Sequence, residues 1–344
     1  MLDQNLQELI RSILRRGISE GTFPGAVASL VIGGEEVSVA EGLAQAFPES
    51  ERRRMELATP FDLASLTKVI VTTTLLMMSV DRGLLDLEDP VNYYVDFDRR
   101  VKLVNLANHS SGLPAWLPLY QMSVHDVREA VSIISKVPII EPGKREVYSD
   151  LGFLLLGYIL ESVNGSKIDE LAREKIFKPL GMESTCFSPC PGAAATEVID
   201  GKPLVGSVHD ENARALGGKC GHAGLFSTAR DLTRFADALL KGRLLSSASV
   251  SAMLSKSNVV EGGNHAIGWQ VITENRPASA GSLMGQTAFG HTGFTGTSMW
   301  IDPEKKITVV LLTNSVHMGR GKDVNRYRRQ LGNVAVAYAS QASR

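Results

Sequence analysis

Phe61-Asp62-Leu63-Ala64-Ser65-Leu66-Thr67-Lys68-Val69-Ile70-Val71-Thr72-Thr73-Thr74-Leu75-Leu76-Met77-Met78 carries Thr or an apolar residue at every position after Lys68. A helix with no polar face is a helix buried all round. At its mouth stand a Ser and, three residues on, a Lys, and residues three apart on a helix share a face. That puts an amine within reach of a hydroxyl at a helix N-terminus, where free N–H groups and the helix dipole favour negative charge. Burial lowers the pKa of Lys. A Lys so lowered can take the Ser proton, and the two then act as nucleophile and base. Ser65 is the only Ser in the chain with a Lys at the third position after it. The alternative is an N-cap Ser65 with a solvated Lys68. Lys is the wrong charge for a first turn, which weighs against that alternative.

Working outward, the N-terminal side reads as an amphipathic helix over 2–16, a buried strand over 25–32, a Gly33-Gly34 turn and a return strand over 35–40. Residues 44–59, with Pro48 and a run of charges, read as an exposed loop. The central helix stops near Gly83. Helices follow over 103–109, 124–135, 151–163 and 168–177, with 188–216 loop-like, then a helix over 229–240. Strands are expected over 266–272, 287–291, 296–301 and 306–314, and a closing helix over 324–339. Strands therefore cluster at the two chain ends and helices in the middle. The fold class is α+β. A mainly antiparallel sheet is built from both ends and flanked by terminal helices, with an inserted helical domain. The sheet domain is expected over 1–62 and 225–344 and the helical insert over 63–224, with the active site in the cleft between them.

Composition bounds the partners. The 344 residues carry a net charge of −1, so neither nucleic acid nor an anionic membrane is implied. No apolar run reaches transmembrane length. No signal-peptide core is visible, which points to a cytoplasmic chain, or to a periplasmic or extracellular one whose signal has been removed. Three cysteines, Cys186, Cys190 and Cys220, are too few for a disulfide framework. Cys190, Cys220, His209, Asp210 and His222 lack metal-site spacing, so no metal and no cofactor is expected. Gly217, Gly218, Gly221 and Gly224 follow no strand of a βαβ unit, which argues against a nucleotide loop. His109 is read as closing a helix by hydrogen bonding. His222 is read as bordering the cleft, and a Ser-His-Asp triad through His222 or His291 is the main competing chemistry. No G-x-S-x-G elbow surrounds Ser65.

Ser65-x-x-Lys68, Tyr148-Ser149-Asp150 and His291-Thr292-Gly293 resemble, in order, the three motifs of the serine β-lactamase and penicillin-binding protein superfamily. Its class C β-lactamases, D-alanyl-D-alanine carboxypeptidases and esterases are the most similar branch. Leu84 to Val91, His109 to Pro114, Pro179 to Met182 and Gly221 to Thr228 resemble its framing segments, so the likeness covers nearly the whole chain. The resemblance implies that Ser65 forms an acyl-enzyme and that Lys68 and Tyr148 share the proton work. The oxyanion hole would be the N–H groups of Ser65 and Phe294, with Asp150, His291, Thr292 and Gly293 lining the substrate site. The family's second motif usually ends in Asn, here Asp150; its third often begins with Lys, here His291. Both changes disfavour anionic β-lactams relative to neutral esters or amides. An Asp150 carboxylate beside Lys68 would hold it protonated and leave Tyr148 to take the Ser65 proton. The expected activity is an esterase or D-peptidase with at most weak β-lactamase activity. The expected substrate is a small ester, amide or β-lactam, or a peptidoglycan-derived peptide. A true β-lactamase, a carboxypeptidase, and a penicillin- or peptidoglycan-binding receptor that acylates without turnover are the alternatives.

Overall fold

The computed structural model describes residues 4–342, so Leu2 of the first expected helix lies outside the described residues. The strands, in chain order, are β1 (Gly25–Ile32), β2 (Glu35–Gln45), β3 (Arg53–Arg54), β4 (Phe61–Asp62), β5 (Cys186–Phe187), β6 (Val198–Ile199), β7 (Lys202–Pro203), β8 (Leu225–Ser227), β9 (Gln270–Val271), β10 (Phe289–Thr292), β11 (Ser298–Asp302) and β12 (Ile307–Thr313). A seven-stranded sheet has the order β3-β2-β1-β12-β11-β10-β9. Every pairing in it is antiparallel, as short turns between successive strands require. Chain ends meet at its centre, where Ala26 faces Thr313 and Ile32 faces Ile307. Both strands are buried almost throughout, which suits their Val, Ile and Leu runs to a position covered on two faces.

One face of the sheet carries the terminal helices, Gln4–Ser19 and Asn325–Ala342. Leu6, Ile10 and Leu14 on the first, and Tyr327, Leu331 and Ala335 on the last, bury against Ala28, Leu30, Val309 and Leu311. The other face packs on the helical middle of the chain. There one hydrophobic cluster runs from Val310 and Leu312 through Val69, Ile70 and Val71 to Phe153 and Leu156. Each fully buried aliphatic side chain in it contributes about 1.5–3 kcal/mol relative to exposure.

Four local readings need correction. Residues 44–59 are not simply an exposed loop: Ala44, Gln45, Met55 and Thr59 are buried, and β3 adds to the sheet edge. The 266–272 strand shrinks to Gln270–Val271, because Gly268 turns the chain at φ +75°. The 188–216 stretch holds the β6–β7 hairpin and a short helix, Glu211–Ala215, N-capped by Asp210. A helix over Ser247–Leu254 and a small sheet β4-β8-β5 went unread. Those three strands have only two or three residues each, too short for a period to register.

Candidate active site

The site is built where β4 ends. Asp62 is buried and its carboxylate accepts the N–H of Ala64 at 2.8 Å and that of His209 at 2.6 Å. Ala64 is driven to φ +47°, a left-handed conformation that a residue with a Cβ rarely adopts. That sharp turn delivers Ser65 to the mouth of the central helix. The helix then winds as a π-helix over Lys68–Thr73 before becoming α-helical over Thr74–Asp81. Such wide turns concentrate at functional sites. Its two inner Thr side chains are not idle. Thr72 donates to Gly221 O at 2.6 Å, and Thr67 Oγ1 accepts the N–H of Leu225 at 3.2 Å.

Lys68 is 0% exposed. Its Nζ donates to Ser65 Oγ at 2.8 Å and to the carbonyl of His222 at 3.0 Å, and pairs with Asp150 Oδ1 at 2.7 Å. An ammonium has three N–H donors, and all three are matched. The Tyr148 hydroxyl interacts electrostatically with both Ser65 and Lys68. Burial alone would lower the Lys68 pKa, but the Asp150 carboxylate and the Tyr148 oxygen reverse this and hold it above its ordinary value. A burial-lowered amine is therefore the wrong description of Lys68, which stays an ammonium. Burial raises the Tyr148 pKa, and the opposing ammonium does not cancel the rise.

Tyr148 is fixed by the 109–115 segment. The Ser149 N–H donates to Nδ1 of His109 at 3.0 Å, Ser149 Oγ to Pro114 O at 2.7 Å, and Asp150 N–H to Ala115 O at 3.1 Å. The His109 ring packs on the Tyr148 ring at 4.3 Å. His109 thus supports the second motif, and at φ +60° it also ends the helix Leu103–Ala107, where the Ser110 N–H donates back to Asn105 O at 2.9 Å. Asp150 opens the helix Asp150–Asn164, where a carboxylate suits the dipole.

The third motif lies on β10, whose last residue is Thr292. His291 is buried, with Nδ1–H donating to Thr292 O at 2.8 Å and its ring 6.0 Å from that of Tyr148. Burial keeps it well below the usual His pKa, so it is neutral. Beyond it the turn 293–297 is stitched to β4: Thr295 Oγ1 donates to Asp62 O at 2.7 Å and Thr297 Oγ1 to Leu63 O at 3.0 Å. This brings Phe294 beside the Ser65 turn. The N–H groups of Ser65 and Phe294 have no hydrogen-bond partner among the described residues. Gly293 is required for a different reason than substrate approach. A Cβ there would lie 2.3 Å from Leu63 O and 2.2 Å from Thr297 Oγ1. Gly293→Ala is expected to push the turn off β4 and lower kcat by more than about ten-fold, on the scale of removing one oxyanion donor. Steady-state kinetics beside a melting curve checks this, and unchanged kcat would refute it.

Ser65, Tyr148, Asp150, His291, Thr292 and Gly293 line one cleft of about 760 Å³, while Lys68 and Ser149 lie behind it. Sequence reasoning missed Arg328, Trp116 and Tyr120, which line it too. Arg328, on the closing helix, donates to Thr297 O at 2.8 Å and to Asn325 Oδ1 at 2.8 Å, and makes no ion pair among the described residues. Burial lowers its pKa to about 10, which still leaves it a cation at neutral pH. Arg320 and Lys322 also reach the cleft, together with Asp210, Glu211 and Asp323, and Arg320 is paired with Glu197 and Glu211. The Gly-rich stretch is a close-packed strap: a Cβ on Gly221 would meet Phe153 O at 2.2 Å. That approach brings the His222 carbonyl to Lys68.

The antiparallel sheet, the helical middle and a serine at the mouth of a buried helix define a β-lactamase-like serine hydrolase. The chain belongs to the Beta-lactamase family, whose model matches residues 3–333. The N-acetylmuramyl-L-alanine amidase of Bacillus subtilis (strain 168) is 30% identical, over 90% of this chain and 80% of its own. A putative D-alanyl-D-alanine carboxypeptidase of Escherichia coli (strain K12) is 31% identical, over 75% of this chain and 70% of its own. Among solved structures, EstCE1, a hydrolase with promiscuous acyltransferase activity, superposes with a TM-score of 0.78 at 21% identity, over 97% of this chain and 99% of its own. A class C beta-lactamase does so with 0.78 at 17%, over 97% and 96%. At those identities the two structures speak for the fold alone. No helix among the described residues is long and apolar enough to cross a membrane.

Proposed function

We propose that the protein hydrolyses small esters or D-peptide-type amides through an acyl-enzyme on Ser65, with at most weak β-lactamase activity. The observation that carries this reading is the 2.8 Å contact between Ser65 Oγ and the fully buried Lys68 Nζ. Tyr148, which interacts with both, accepts the Ser65 proton and hands it to the leaving group. Lys68 stays an ammonium and favours the phenolate. The N–H groups of Ser65 and Phe294 receive the oxyanion. His291, Thr292 and Gly293 form the strand wall along which substrate lies, and Asp150 sets the charge of Lys68. Two relatives are named for amide bonds that involve alanine, which supports a peptidoglycan-derived peptide as the natural amide. The test is one preparation assayed on p-nitrophenyl esters, nitrocefin and D-amino-acid amides, with intact mass after acid quench. Turnover without a Ser65 adduct would refute the reading. A permanent adduct with a fluorescent penicillin, and no turnover of any substrate, would mark a receptor instead.

One observation favours a second reading within the same chemistry. Arg328 is a buried cation without a carboxylate partner among the described residues and lines the cleft. A substrate ending in a carboxylate, as a D-alanyl-D-alanine peptide does, would find its charge matched there. A kcat/KM for acyl-D-Ala-D-Ala above that for the matching amide would decide for it.

The charge network makes a pH prediction. Asp150 raises the pKa of both Lys68 and Tyr148, so the parent enzyme is expected to gain kcat/KM toward alkaline pH. Asp150→Asn removes that negative charge, so the rise moves to lower pH. One charge at this range in a partly solvated cleft is worth on the order of 1 kcal/mol, or somewhat under about one pH unit. An unmoved profile would uncouple Asp150 from the proton-transfer pair.

A further inference from the structure

The residues Asp210 and His222, twelve apart in sequence, form a hydrogen-bonded pair that the proton chemistry above does not use. His222 Nε2 lies 3.0 Å from Asp210 Oδ1. The same Oδ1 accepts the N–H of Ala213 at 2.7 Å, which pins the carboxylate as the N-cap of Glu211–Ala215. Burial works against ionising Asp210, but the His222 ring and that N–H hold its pKa below the usual range, so it is a carboxylate. A carboxylate accepts only, so Nε2 carries the hydrogen, and in the neutral ring Nδ1 then carries the lone pair. Nδ1 is buried and has no hydrogen-bond partner among the described residues, although His222 lines the cleft. The position is close to the chemistry, because the carbonyl of this same residue is 3.0 Å from Lys68 Nζ, itself 2.8 Å from Ser65 Oγ.

We propose that Asp210–His222 is a second acid–base pair, which activates the water that hydrolyses the acyl-enzyme while Tyr148 and Lys68 serve its formation. The proposal rests on the acyl-enzyme reading of Ser65. In this step water attacks the acyl carbonyl carbon and gives a proton to Nδ1 of His222. The new C–O bond forms as the bond from that carbon to Ser65 Oγ breaks. Ser65 Oγ takes the proton held on Nδ1 of His222 as it leaves, so Lys68 stays an ammonium throughout. The product is the free acid, and Asp210 remains ionised throughout, orienting the ring and stabilising its cationic form. The division of labour has a physical reason. Lys68 is locked as an ammonium by Asp150. The Tyr148 pKa is raised, so little phenolate is present at neutral pH. The His222 ring, held by Asp210 and without a partner on Nδ1 among the described residues, is the group left to take the water proton.

Two variants test this with p-nitrophenyl acetate. Asp210→Asn keeps the helix cap, since Asn caps as well as Asp. Because one Oδ1 serves both Ala213 and His222, the amide oxygen stays in place and only the negative charge that stabilises the cationic ring is removed. His222→Gln keeps the backbone carbonyl that holds Lys68. Both are expected to lose roughly 100-fold in kcat, with KM falling in step and kcat/KM within about three-fold of the parent. A burst of one nitrophenolate per enzyme should appear, and the acetyl adduct on Ser65 should accumulate by intact mass. Hydroxylamine, which attacks without a base, should restore turnover. Unchanged kcat, or kcat and kcat/KM falling together without an adduct, would overturn the inference. Absence of the adduct from the parent as well, trapped by acid quench, would instead refute the acyl-enzyme reading.

Discussion

Ser65→Ala is expected to abolish turnover of every ester and amide while leaving the melting temperature within a few degrees of the parent. The hydroxyl accepts from Lys68 Nζ, but it neither caps the helix nor fills the core; Ser65 is only partly buried. Losing it removes the atom that attacks, and removal of a nucleophile from such a unit costs on the order of 10⁶ in kcat in a well-studied protease. The residual rate should reflect the oxyanion site and binding alone. Rates on three unrelated substrates, measured with the variant purified in isolation from the parent, check this. Any substrate retained at even a hundredth of its parent rate would identify another nucleophile.

Lys68→Met is expected to cost nearly as much activity, and it should also cost stability. The ammonium is the common partner of Ser65, Asp150, Tyr148 and the His222 carbonyl, and its side chain is sealed from solvent. Breaking a buried pair from one side leaves the other charge unmatched, at about 3–5 kcal/mol; Asp150 retains 22% side-chain exposure, so the lower end applies. The double variant Lys68→Met/Asp150→Asn removes both charges and should recover most of the stability with none of the activity. Lys68→Arg should not restore turnover, because the longer planar group cannot match three acceptors set for a compact ammonium. Denaturation midpoints and kcat for the three variants complete the cycle. Equal instability of the single and double variants would show that Lys68 acts by packing and that its charge is incidental.

The sequence makes the sheet legible because the strands that form its centre are long. Ile307 to Leu312 is an unbroken β-branched and Leu run, and the Gly33-Gly34 turn sets the register of β1 on β2. The terminal helices show clean apolar stripes. The short strands around β4 have no periodicity to read and depend on tertiary hydrogen bonds. Within the site, Ser65 and Lys68 are a local pair whose spacing alone puts them together. Asp150 stands out in the sequence as a departure from the usual Asn, and the structure pairs it with Lys68 at 2.7 Å. Arg328 left no trace, because a cationic residue on a terminal helix looks like solvated surface until the helix is docked. The Asp210–His222 pair was visible only as two polar residues in a loop-rich stretch. The Asp is recognisable as a cap three residues before Ala213, but its orientation toward His222 is set by the Gly221 close approach.

The stitch between the 293–297 turn and Asp62–Leu63 has a consequence in time. The nucleophile and the second oxyanion donor are separated by more than two hundred residues, and β12 must enter between β1 and β11 before that turn is held. Closing so long a loop is entropically slow compared with forming the local helices. As the chain is synthesised, the Ser65 helix can fold long before its oxyanion partner exists. On the proposed mechanism the site is therefore complete only once the last strand is in place.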